Sequence, residues 1–147
     1  MGSVRYLLLQ ARFVAALAAV VGSGCGAHTQ HVRVTISADA NNNSPVIFSI
    51  ILPRNKTVSK KLLELTAKQW FAQREQFLRD YRADLDEAYY EFVPGQQVPE
   101  LLPRGGRGHL QGILFVNYHT PGAHRYPFDA KQVLKVSFGQ LGLSFTP

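Results

Sequence analysis

The chain has 147 residues, with sixteen Lys and Arg against ten Asp and Glu, for a formal net charge of +6 at pH 7. That length suits one domain able to bury a core without staples, and a single cysteine excludes an internal disulfide framework. The positive charge is modest and scattered, with no basic run interleaved with aromatics, which excludes the usual grip on nucleic acid.

Residues 1–24 come first. Arg5 and Arg12 supply positive charge, Phe13 to Val21 is an uncharged apolar run, and Ser23 and Gly24 are small. This is the layout of a secretory signal peptide. The apolar run is too short to cross a bilayer core, which takes about 20 residues. Cys25 follows the small residues directly. A lipoprotein signal needs a thiol there, to receive diacylglycerol and become the first residue after cleavage. Acyl chains contribute about 0.8 kcal/mol per buried methylene, enough to hold a chain on a membrane without a spanning helix. The sequence therefore predicts a signal peptide over 1–24, a covalent lipid on Cys25 as the only added group, and a short tether over 25–30. Gly26 is not the Asp that would argue for retention at the inner membrane, so the expected location is the outer membrane. Loss of Arg5 and Arg12 would leave fourteen basic and ten acidic residues, a net +4 that suits anionic head groups or an acidic partner.

The expected domain spans 31–147. In HVRVTISA, Val32, Val34 and Ile36 alternate with polar residues, as in a half-buried strand. DANNNSP is a turn. PVIFSIIL is a denser, more central strand with Val46, Phe48, Ile50 and Leu52 on one face. The period then changes. Thr57 or Ser59 can cap a helix, and TAKQ at Thr66–Gln69 is a capping box for a second start. Ala67, Trp70, Phe71, Phe77, Leu78, Tyr81 and Leu85 make one apolar stripe, with Arg74 as its polar exception. A helix is expected over 59–82, breaking near Thr66, within an insertion over 57–85. Asp80, Asp84, Asp86 and Glu87 read as a solvated turn at its end.

EAYYEFV, LQGILFVNYH, the short return in TPGAHRYPF, KQVLKVSFG and an edge in LGLSFTP supply the remaining strands. Pro94–Gly95 signals a tight turn, and Arg104 to His109 reads as a mobile basic loop. Together these describe a mainly β, antiparallel two-sheet sandwich with a helical insertion between its second and third strands.

Catalytic signatures are absent from the pattern. The five histidines form no HExxH or paired metal spacing, and the glycines near Arg104 lack phosphate-loop spacing. Ser23 and Ser37 sit in no nucleophile elbow, and Cys25 at an N-terminus lacks a base. The sequence predicts a non-enzyme with no metal.

Cys25, HVRVTISA, the Asn-rich turn into PVIFSIIL, the insertion after it, EFVPGQ and GILFVNYH resemble TssJ, the outer-membrane lipoprotein family of the bacterial type VI secretion system. The similarity covers about residues 31–138, with Asn43, Ser44, Pro45, Pro94–Gly95 and Gly112 to Tyr118 at the matching motifs. It implies a transthyretin-like sandwich, an acylated Cys25 at the periplasmic face of the outer membrane, and the periplasmic domain of TssM as partner, with TssL behind it. It also implies that the partner meets the loop between the first two strands: Asp39, Ala40, Asn41, Asn42, Asn43 and Ser44. Arg104 and Arg107 form a second candidate binding loop. Two other readings make different demands. A pilotin-like or other envelope-assembly lipoprotein calls for an exposed apolar groove. A periplasmic ligand-binding module calls for a deep aromatic pocket, with Trp70, Tyr89 and Tyr90 as candidates.

Overall fold

A computed structural model describes residues 28–105 and 111–146. The expected signal peptide, Cys25 and Arg107 lie outside the described residues, as does the side chain of Arg104. In chain order the elements are β1 (His28–Thr29), β2 (Val32–Ile36), α1 (Ala40–Asn43), β3 (Val46–Pro53), α2 (Lys56–Leu63), α3 (Ala67–Asp80), β4 (Leu85–Phe92), β5 (Arg104–Gly105), β6 (Gln111–Asn117), β7 (Arg125–Asp129), β8 (Leu134–Phe138) and β9 (Leu143–Thr146).

The strands form the expected two-sheet sandwich. One sheet has the order β4-β3-β6-β7 and is antiparallel throughout; the other has the order β2-β8-β9. The second sheet departs from the expected antiparallel pattern: β2 runs parallel to β8, from Val32 opposite Leu134 to Ile36 opposite Phe138, because the two strands are far apart in the chain and no hairpin joins them. The short pair β1–β5 continues from the start of β2, so His28, Thr29 and Gln30, inside the expected tether, belong to the folded domain.

β3 alternates as read. Val46, Phe48, Ile50 and Leu52 face the other sheet with Leu114, Val116, Val136 and Phe138, and all are buried. The opposite face of β3 and β6 is buried too: Ile51, Ile113 and Phe115 pack on Val58, Leu62, Ala67 and Trp70 from the helices. A sheet covered on both faces has nearly continuous apolar central strands, which is why PVIFSIIL and GILFV read so dense. Gly112 is required by this packing, because a Cβ there would lie 2.2 Å from Phe128 Cζ.

The helical insertion starts earlier than predicted. Asn55, not Thr57 or Ser59, caps α2: its backbone is extended and its Oδ1 accepts the Val58 N–H at 2.9 Å, which starts the helix at Lys56. The break near Thr66 is present. Thr66 Oγ1 accepts the Gln69 N–H at 3.2 Å, and Gln69 Oε1 accepts the Thr66 N–H at 2.8 Å. These reciprocal bonds satisfy two otherwise orphaned donors. No helix among the described residues is long and apolar enough to cross a membrane.

The registers give the sandwich two distinct ends. At the N-terminal end, Pro53 meets Leu85, Gln111 meets Asp129, and the buried Gln30 donates its side-chain amide to the Gln132 carbonyl at 2.5 Å. At the other end, β2 runs into the Asp39–Ser44 turn beside Asn117, His119 and Gly139.

Candidate functional site

The Asp39–Ser44 segment is built on three successive asparagines in the left-handed region. Asn41, Asn42 and Asn43 have φ of 49°, 54° and 60°. An ordinary L-residue there pushes its Cβ toward the next carbonyl oxygen, at about 1–2 kcal/mol per residue, and asparagine is among the few types that visit it routinely. The polar run therefore has a conformational cause: these residues let β2 turn into β3 within one left-handed turn.

The turn is tied down from several sides. Asn41 and Asn42 donate their N–H groups to Gly139 O and Gln140 O, both at 3.0 Å. Ser37 Oγ donates to Asp39 Oδ1 at 2.6 Å, and the Gly95 N–H bonds Ser37 O at 2.9 Å, which brings the Pro94–Gly95 turn against the segment. Asn41 is only 3% exposed. Its Nδ2 donates to Pro45 O at 2.9 Å, and its Oδ1 accepts the His119 N–H at 2.8 Å. Tyr118 adds a hydroxyl donated to Gly139 O and shared with Gly142 O at 3.0 Å; burial pushes its pKa up.

The predicted partner-facing residues thus separate. Asn41 spends its amide inside the protein, while Asp39, Asn42 and Asn43 are exposed and Ser44 is half-buried. Beside them a shallow cleft of about 200 Å³ is lined by Ser44, Pro45, Ile47, Glu91, Asn117 and His119, among others. Sequence reasoning missed Glu91, Asn117 and His119. They come from the ends of β4 and β6, and no local signal says which strand ends share one end of a sandwich. The surface offers amides and carboxylates for hydrogen bonding. Among the described residues no group of His, Cys, Asp or Glu could hold a metal ion. His124 Nε2 bonds its neighbour Thr120 O at 2.6 Å.

The second candidate loop is elsewhere. Arg104 opens β5 opposite Thr29, at the N-terminal end, so the structure does not bring it near the asparagine turn.

The structure does not bring the aromatic candidates together. Trp70 is fully buried and stacks on Phe115 at 5.3 Å between centroids, with Phe77 edge-on at 5.6 Å. Tyr90 packs into the inter-sheet core with Phe48, and Tyr89 lies over the Arg74 guanidinium at 4.6 Å. The acidic group at the end of α3 is a solvated turn only in part: Asp80 is exposed and Asp84 lies in the turn, but Asp86 and Glu87 belong to β4. Glu87 lies on β4 with its side chain 7% exposed, accepts Arg74 Nε and Nη2 at 2.6 Å each, and takes the Ser49 hydroxyl at 2.7 Å. Asp86 holds Arg54 in a two-point contact that raises the guanidinium's pKa, and Asp84 accepts from Asn55. Arg74, the polar exception of the stripe, is thus the partner of a buried carboxylate; its pKa is raised chiefly by that bond.

The sequence matches no protein-family model. A comparison with curated proteins finds no relative. Solved structures do share the fold. Serratia marcescens Lip, a membrane-bound component of the type VI secretion system, superposes with a TM-score of 0.62 at 11% identity, over 83% of this chain and 99% of that one. The type VI lipoprotein TssJ1 from Pseudomonas aeruginosa gives 0.59 at 11% identity, over 82% and 96%. A chain in a structure described as the type VI membrane complex gives 0.60 at 12% identity, over 83% and 100%.

Proposed function

We propose that this protein is a TssJ-like, non-enzymatic lipoprotein of a type VI secretion envelope complex. In this reading it is acylated on Cys25, held at the periplasmic face of the outer membrane, and bound to the periplasmic domain of TssM through its asparagine end. The observation that carries the reading is the end-to-end likeness in fold to Lip and TssJ1, of which this chain spans 99% and 96%. The layout supports it. Gln30 enters the sandwich at one end and Asp39–Ser44 lies at the other. A lipid at Cys25 would leave the asparagine turn directed away from the membrane, toward a periplasmic partner. Loops fixed on a rigid scaffold are where recognition concentrates. Neither alternative finds its surface among the described residues. Exposed Val93, Leu102 and Leu141 are scattered over separate segments, Trp70 and Tyr90 are used in packing, and Tyr89 lines only a shallow cleft beside Arg74.

Two measurements test this. Cys25→Ser should leave a folded protein that no longer sediments with membranes, and the wild-type N-terminus should be Cys25 heavier by its acyl groups; an unmodified Cys25 overturns the lipid anchor. Titration against the purified TssM periplasmic domain tests the partner. Asn42→Gly/Asn43→Gly removes two exposed amides while keeping a left-handed backbone accessible. It should weaken binding at least tenfold, or about 1.4 kcal/mol. Unchanged affinity there, with loss in Arg104→Ala/Arg107→Ala, moves the site to the second loop.

A further inference from the structure

Charge in this domain is concentrated on the helical insertion. Residues 54–82 hold eight Lys and Arg against three Asp and Glu, a net +5 that exceeds the net +4 of everything beyond residue 24. Part of this cationic set is internally committed: Arg54 to Asp86, Arg74 to Glu87, Arg79 weakly to Glu75, and Lys61 to the Tyr81 hydroxyl. Lys56, Lys60 and Arg82 are exposed and make no side-chain ion pair or hydrogen bond among the described residues, and neither does the Lys131 ammonium.

These four cations gather at the N-terminal end. Lys56 opens α2 directly after β3, and Ser59, next to Lys60, bonds Gln111 at the start of β6. Arg82 lies two residues before Asp84, whose carbonyl and carboxylate accept from Arg54 and Asn55. Lys131 adjoins Gln132, which holds the side chain of Gln30 where the chain enters the fold. Of the nearby carboxylates, Asp86 is paired by Arg54 and Glu100 by Arg33, while Asp84 and Asp129 accept only the neutral Asn55 amide and the Lys131 N–H and keep their charge, so the four cations outweigh these two carboxylates rather than standing alone. The other end carries no comparable excess; Asp39 and Glu91 lie there beside the asparagine turn.

We propose that Lys56, Lys60, Arg82 and Lys131 form a docking face for anionic phospholipid head groups, which seats the N-terminal end of the domain flat on the membrane. This deepens the lipoprotein reading and rests on it for the membrane's being close by. One acyl attachment fixes distance but not orientation. Basic side chains near an anionic surface add about 1 kcal/mol each, fading within a Debye length of the surface. A lipid plus a basic patch is the two-signal arrangement that makes attachment stable. Seated this way, the asparagine end is held outward rather than free to roll toward the bilayer.

The test uses the full chain on phosphatidylethanolamine vesicles with and without phosphatidylglycerol, read as the ratio of the two affinities. The ratio cancels the apolar contribution of the N-terminal segment, and its Arg5 and Arg12 are shared by the wild type and every variant, so the change in ratio between chains reports the docking face. The wild-type ratio should favour the anionic vesicles by at least about tenfold at low salt and collapse at high salt. Lys56→Gln/Lys60→Gln/Arg82→Gln/Lys131→Gln should lower it at least about fivefold with an unchanged thermal midpoint, while Lys68→Gln, on the same helical layer but toward the other end, leaves most of it. An equal ratio in the wild type and the fourfold variant overturns the proposal. So does a fourfold variant that keeps its vesicle ratio but loses the TssM domain, which assigns the face to a protein. Either result leaves the lipid anchor to be judged by the Cys25→Ser fractionation, so the two readings fail separately.

Discussion

On the helix-covered face of the central sheet, Arg74, Glu87 and Ser49 are held by what packs around them; at the asparagine end, Asn41, Asn42 and Asn43 are held by the conformation of their own backbone. The first region encloses a polar contact within an apolar layer of Ile51, Leu62, Trp70 and Phe115. The second has little apolar area and derives its shape from tolerated left-handed dihedrals and a few main-chain bonds. Substitutions should therefore act through lost packing in one region and through backbone strain in the other.

The largest expected effect is in the packed region. Trp70→Ala should cost about 3–5 kcal/mol, the range for a buried large aromatic. Against a total stability of about 5–15 kcal/mol this is a large drop in thermal midpoint. An unchanged midpoint would mean that the helical layer is not part of the cooperative core. Arg74→Met keeps the stem's volume but strands the Glu87 carboxylate, which is 7% exposed. It should cost about 3 kcal/mol, the low end for breaking a buried pair, because Arg74 itself is 27% exposed. Adding Glu87→Gln to it should recover part of the loss in chemical denaturation, since the amide is easier to leave unpaired; no recovery would mean the stem, not the charge, mattered.

At the asparagine end, Asn41→Ala should cost about 2–3 kcal/mol. It leaves the Pro45 carbonyl and the His119 N–H without their partner and adds left-handed strain. Asn42→Ala and Asn43→Ala lose no such buried bonds, so about 1 kcal/mol each is expected, from strain alone. The smallest effect belongs to Asn42→Gly/Asn43→Gly, under about 1 kcal/mol, since glycine adopts positive φ freely. Equal midpoints for the alanine and glycine pairs would remove backbone conformation as the reason for the asparagines.

These contrasts track what could be read in advance. Hydrophobic period exposed the packed region: the stripe from Ala67 to Leu85 placed Trp70 in the core, and Thr66–Gln69 marked the helix break. The same rules read Glu87 as solvated, because a carboxylate after a helix is usually wet and nothing in the sequence locates Arg74 above it. At the other end the asparagines were legible as a turn and as polar, but not as three left-handed residues. Nor could any spacing show that Asn41 turns inward while Asn42 and Asn43 remain outside.

The sequence by itself determined the longer strands, the two helices, the composition of the core and the position of Cys25 after a short apolar run, since each is written in local period, capping residues or order along the chain; the short pair β1–β5, read as tether and mobile loop, was not among them. Only the tertiary structure decided that β2 runs parallel to β8, that Arg74 meets Glu87, that Glu91, Asn117 and His119 gather beside the asparagine turn, and that cations without an ion pair among the described residues collect at the opposite end. The physical reason is that local preferences fix which elements form. Which elements become neighbours is set by how their apolar faces can be buried together, and that depends on the whole chain at once.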